Sequence, residues 1–137
     1  MNYTFYKKMT RANDTVEYYL EMWRSGDADN AFHGLIEGDC AIVPRLVELY
    51  DNCADSELQI FLIDVISEFR LESSVDFLTA ALRSEVSQLW QRALDGLVMM
   101  ESRNAAHSME LVLKDESDAT KKDWIIEAIG QLQAALR

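Results

Sequence analysis

One position in this chain is polar four times at nearly constant spacing. His33, Asp64, Asp95 and Glu127 are separated by 31, 31 and 32 residues. Two apolar residues precede each of them: Ala31-Phe32, Leu62-Ile63, Ala93-Leu94 and Ile125-Ile126. One helical turn further on stand Glu68, Met99 and Gln131, which lengthen the same stripe. Three of the four recurring residues are acids, so a row of them is either an acidic groove that draws in a basic partner or the solvated face that packed helices need. Carboxylates and a histidine are also metal ligands. A metal, however, requires its donor atoms within about 2.0–2.6 Å of one point. Residues on successive packed helices lie about 10 Å apart. The row is therefore expected to hold no metal, and no cofactor is expected.

Other chemistry has little material. Cys40 and Cys53 have no neighbouring His and no second Cys at zinc-site spacing, and Asp39 beside Cys40 is the wrong charge to activate a thiol. Free thiols in a reducing compartment are expected, with a Cys40–Cys53 disulfide as the alternative. The chain contains no Gly-x-Ser-x-Gly, no Gly-x-Gly-x-x-Gly and no phosphate loop. Catalysis is therefore not expected. Trp23, Trp90 and Trp124 read as core or edge anchors, with Trp124 packed between the last helices. Trp90, beside Gln91 and Arg92, becomes a hot spot for a partner if it faces a groove. Met99-Met100 and Met109 read as gap-filling core.

The balance of charge narrows the partners. Thirteen basic and twenty-four acidic residues among 137 leave a formal charge of −11. That disfavours nucleic acid and anionic membrane alike. Hydrophobic residues make up 49% of the chain, which is enough for a core and argues against disorder. The N-terminal Tyr3-Thr4-Phe5-Tyr6-Lys7-Lys8 places aromatics before base and has no signal-peptide apolar run. The richest apolar stretch, around Ile60 to Ile66, is interrupted by Asp64, so no membrane span is expected. A cytoplasmic protein, monomeric or weakly dimeric, fits these features. Lys7, Lys8 and Arg11 read as a solvated end, and Tyr3, Phe5 and Tyr6 either pack over the first helices or form a loose tail.

The elements that must position these residues read as helices almost throughout. Val16, Tyr19, Leu20 and Trp23 fall at i, i+3, i+4 and i+7 before Gly26-Asp27 interrupts. Ala31 to Ile36 form a short second helix ended by Gly38. Asp39 and Pro44 open the next, carried by Ile42, Val43, Leu46, Leu49 and Tyr50. Asp55-Ser56 reads as an N-cap ahead of Leu58, Phe61, Leu62, Val65, Ile66 and Phe69. Further helices are expected over Val75–Leu82, Leu89–Met100, Met109–Leu113 and Trp124–Leu136. The first helices of successive pairs repeat as well, since Val43-x-x-Leu46, Val75-x-x-Leu78 and Ala106-x-x-Met109 recur at 32 and 31 residues.

Paired helices of this period, one pair opening with Ala41-Ile42-Val43-Pro44-Arg45-Leu46, resemble HEAT-type repeats, including their short bacterial forms. The resemblance covers roughly residues 12–135. It implies an all-α fold, a right-handed α-α superhelix or short solenoid of about four hairpins within one domain, 1–137. The units would span about 12–38, 39–70, 71–101 and 102–137. The arginine ladder common in HEAT units is absent, its places being taken by Gln59, Trp90 and Lys122. HEAT-like iron hydroxylases use His-Glu dipeptides, and neither His33 nor His107 is followed by Glu.

Second helices line the concave face in this architecture. The residues expected to meet a partner are therefore His33, Asp64, Glu68, Trp90, Asp95, Met99, Glu127 and Gln131. The role expected is a non-catalytic protein-binding module, most concretely an immunity protein that neutralises a basic toxin. A general scaffold or adaptor, or a HEAT-like bilin-lyase type of enzyme or chaperone, is the alternative.

Overall fold

The computed structural model describes residues 15–137, and these are all-helical with helix packed on helix. The terminal aromatics and bases, Tyr3, Phe5, Tyr6, Lys7, Lys8 and Arg11, lie outside the described residues. Helix α1 covers 15–24. It is followed by α2 (Ala28–Ile36), α3 (Val43–Asp51), α4 (Ser56–Glu68), α5 (Val75–Leu82), α6 (Ser87–Met99), α7 (Arg103–Asp115) and α8 (Ala119–Ala135). No strand occurs among the described residues.

Short polar side chains start four of these helices by accepting otherwise orphaned backbone N–H groups. Asp27 accepts from Asn30 N, and Asp55 accepts from Glu57 N and Leu58 N. Ser102 accepts from Ala105 N, and Asp118 accepts from Lys121 N. Two helices begin differently. Asp39 caps a 3-10 turn, Cys40–Ile42, that runs into α3, and Glu72–Ser74 forms the same kind of turn before α5. Pro44 sits in the first turn of α3, where its missing N–H costs nothing. Beyond the ends of α4 and α6, Arg70 and Glu101 take left-handed backbone with φ of 51° and 48°. Left-handed closure lets the chain reverse tightly after each of these second helices.

The chain divides into two units at the Ala54–Asp55 junction, which falls inside the segment 39–70 read as one repeat. In the first unit Val16 and Leu20 of α1, Ala31 and Leu35 of α2, and Val43 and Leu46 of α3 are buried. Gly34 on α2 lies directly against the Tyr19 ring, in space that a Cβ would need. Arg45 on α3 reaches Glu17 on α1 at 3.2 Å.

The second unit is Asp55–Arg137. Within it α4 packs on α6 and α6 on α8, while α5 packs on α7; α5–α6 and α7–α8 are the hairpins. Helix α6 thus touches α4, α5, α7 and α8. Leu62, Ile63, Ile66, Leu78, Leu82, Leu97, Met109, Ile125 and Leu132 are fully buried, each contributing on the order of 1.5–3 kcal/mol. All six repeated positions of the first helices, Val43, Leu46, Val75, Leu78, Ala106 and Met109, are buried, which gives the 31–32 residue spacing a packing cause.

The residue after each recurring polar position is small or branched, Gly34, Val65, Gly96 and Ala128, and at Gly96 the reason is a close approach. A Cβ on Gly96 would overlap the Ser67 side chain of α4 and press on Leu78 of α5. Gly130 on α8, by contrast, has nothing near the place its Cβ would occupy. Gly96→Ala is therefore expected to lower stability by about 1–2 kcal/mol, overpacking outweighing the gain in helix propensity. Gly130→Ala should raise it by about 0.5–1 kcal/mol. Urea unfolding of both variants checks this, and a stabilised Gly96→Ala would refute the close approach.

Candidate functional site

The stripe maps onto α4, α6 and α8. Asp64 and Glu68 lie on α4, Asp95 and Met99 on α6, and Glu127 and Gln131 on α8. Glu68, Asp95, Glu127 and Gln131 are exposed, and Asp64 and Met99 are half-buried. His33 is exposed on α2 of the first unit, its ring edge-on to Phe32 at 5.6 Å.

The carboxylates of the stripe have unequal surroundings. Asp64 receives Arg92 of α6, Nη1 to Oδ2 at 3.2 Å. Burial pushes the Asp64 carboxyl above its ordinary value; Arg92 opposes that shift and the nearby Asp95 charge adds to it. Asp95 is thus close enough to be felt by Asp64, and both face the same side of the α4–α6 pair. Asp95 and Glu127 have no ion pair of their own among the described residues. They share the rim of a depression of about 430 Å³ between α6 and α8. Leu94, Val98 and Ala128 contribute apolar lining, and Met99, Gln131 and Trp124 complete it.

The three tryptophans depart from expectation in two places. Trp124, expected between the last helices, is 44% exposed and lines the depression. Trp90, considered as a surface hot spot, is only 6% exposed. It meets Trp124 edge-on at 5.5 Å, and the Lys121 ammonium covers its ring at 5.6 Å. Trp90 therefore supports the wall of the depression from behind and offers a partner no surface comparable to that of Trp124.

Lys121 is the residue that sequence reasoning missed. Its neighbour Lys122 was matched to the ladder position, yet Lys121 is the one turned inward, at 4% exposure. Its Nζ donates to the Ser84 carbonyl and pairs with Glu116 Oε2, both at 3.1 Å, joining the α5–α6 and α7–α8 connections. The Asp118 N–H donates to Glu116 Oε1 at 3.1 Å. That bond, with the Lys121 contact, holds the Glu116 carboxyl below its ordinary value against the opposing effect of burial. A signal was present: Lys121, Ile125, Ala128, Ile129 and Leu132 fall on one helical stripe, and all are buried.

No group of three or more His, Cys, Asp or Glu among the described residues is placed to hold a metal ion. Neither Cys40 nor Cys53 forms a disulfide. No helix among the described residues is long and apolar enough to cross a membrane. No family model, no curated protein and no solved structure matches this chain.

Two measurements follow from these charges. The folded-state pKa of Asp64 is raised, so its ionisation counts against folding: the cost is absent below the ordinary value of 3.8 and fully present once pH has risen through the folded value. Asp64→Asn should therefore leave stability at neutral pH unchanged or higher, despite losing the pair with Arg92. A loss above about 1 kcal/mol in urea unfolding would contradict this. The folded-state pKa of Glu116 is lowered, so its contribution is complete above the ordinary value of 4.5 and drains away as pH falls through the folded value. Lys121→Ala should cost about 2–4 kcal/mol at neutral pH by stranding Glu116 and the Ser84 carbonyl. The variant should also lose less of its remaining stability on acidification than the parent does.

Proposed function

We propose that this chain is a non-catalytic protein-binding module of the short HEAT-like solenoid kind, and that it captures a basic partner on the face made by α4, α6 and α8. The observation that carries the reading is the stripe itself. Asp64, Asp95 and Glu127 recur at one position on three helices that pack side by side, and two of these carboxylates have no internal cation. The pairing of α5 with α6 and α7 with α8, with α4, α6 and α8 in one row and α5 and α7 in another, fits the two-layered stacking of an α-α solenoid.

The most concrete version is an immunity protein acting in the cytoplasm on a toxin. Nucleic-acid-cleaving toxins carry basic surfaces because they grip phosphate, and a partner at −11 would be steered onto them rapidly. A permanent scaffold would use the same face but would rely on buried apolar area, which at this site is confined to Trp124 and the floor of the depression.

Capture from a lysate of the native host, washed at about 50 mM and about 500 mM salt, tests the proposal. A single basic protein retained at low salt and released at high salt is expected. Asp95→Lys combined with Glu127→Lys should reduce its capture by about tenfold or more while leaving the far-UV circular dichroism unchanged. Equal capture by parent and variant would overturn the acidic-face reading.

A further inference from the structure

The residue three before the recurring carboxylate is a cation on α6 and an indole on α8, and the indole lines the depression between these two helices. Arg92 precedes Asp95 by three residues on α6 and reaches back to Asp64 on α4 at 3.2 Å. The residue three before Glu127 on α8 is Trp124. Where α6 returns a guanidinium to the carboxylate of the preceding helix, α8 therefore returns an aromatic ring, and Asp95 keeps an uncompensated charge. Trp124, 44% exposed, and the carboxylates of Asp95 and Glu127 then face one space of about 430 Å³. That volume lies in the range of sites that take small ligands or single side chains.

We propose that this space is a receptor for one arginine side chain of the partner, whose guanidinium takes beside Asp95 the place that Arg92 takes beside Asp64. A planar guanidinium stacks on an indole face while forking its N–H groups toward carboxylates, which a lysine ammonium does not do. The apolar floor of Leu94, Val98 and Ala128 suits the methylene stem of the side chain. Trp124 is held from behind by the buried Trp90 ring at 5.5 Å, so the wall is in place before a ligand arrives. The pair of Arg92 with Asp64 shows within the same stripe that its carboxylates take a guanidinium. This inference rests on the binding-module reading for the source of the arginine, and on the geometry of α6 and α8 for the site.

The test uses the full chain, labelled with nitrogen-15, and N-acetyl-arginine amide as the probe. The Trp124 indole N–H and the amides around Asp95 and Glu127 are expected to shift and saturate. N-acetyl-lysine amide should bind the same place several-fold more weakly. Asp95→Asn with Glu127→Gln should weaken the arginine probe by about tenfold. Trp124→Arg should abolish its binding by supplying the missing cation from within, and circular dichroism of both variants establishes that they fold. Shifts that are absent, spread evenly over acidic positions, or equal in parent and double variant would overturn the receptor.

The two proposals fail separately. A basic protein captured equally by parent and by the Asp95→Asn, Glu127→Gln variant removes the receptor and leaves the binding module. Saturable arginine binding with no protein captured at either salt removes the module reading and leaves the receptor.

Discussion

The contact on which the second unit depends is the one that Gly96 permits. Without a Cβ, α6 lies directly on Ser67 of α4 and on Leu78 of α5. Because α6 also touches α7 and α8, its distance from α4 sets the position of every other helix in the unit. Asp95 precedes Gly96, so the carboxylate that matters most for the candidate site is anchored where α6 lies against Ser67 of α4. A rigid backbone beneath an exposed charge lets a partner bind it without first ordering it. In the first unit Gly34 plays the same part against the Tyr19 ring, and His33 precedes it.

Charge is distributed around this frame in two ways. Three cations pair between elements distant in sequence, Arg45 with Glu17, Arg92 with Asp64 and Arg83 with Asp115, while Arg24 with Glu21 and Arg45 with Glu48 pair along one helix. These partly exposed pairs add little stability individually, about 0–1 kcal/mol each. Their larger effect is on which carboxylates remain available. Thirteen bases cannot pair with all twenty-four acids, and among the described residues the stripe keeps two carboxylates without an ion pair at the edge of an apolar hollow. Asp64 shows the cost of moving an acid inward, since even beside Arg92 its ionised form is disfavoured.

Much of the architecture was legible in the chain because it is periodic. The spacing of Val43, Val75 and Ala106, the Asp55 cap, the break at Gly26 and the residues of the polar stripe all reduce to local rules of helices and their ends. The glycines after His33 and Asp95 were visible too, although their cause, a neighbour occupying the Cβ space, was not. The illegible part concerns rotation about a helix axis. Lys121 and Lys122, or Trp124 and Ile125, differ by one residue, about 100° on a helix. Apolarity alone assigns Trp124 to the interior and a lysine to the surface. Packing reverses both, because the ammonium finds Ser84 and Glu116 within reach and the indole finds the open side of α6. The pairing of Arg92 with Asp64 was hidden for a related reason: its partners lie 28 residues apart and meet only when α4 and α6 are docked.

Lys121 also constrains how the last hairpin can be assembled. In the native arrangement its charge is matched by one carbonyl and one carboxylate that come from two different connections. If α8 slid by a turn, the buried ammonium would leave the Ser84 carbonyl of the α5–α6 connection and strain its pair with Glu116, at a cost of several kcal/mol. A leucine in its place would tolerate such a slip far better. The buried lysine therefore discriminates between registers of the terminal helix, and the location of the hollow beside Asp95 inherits that discrimination.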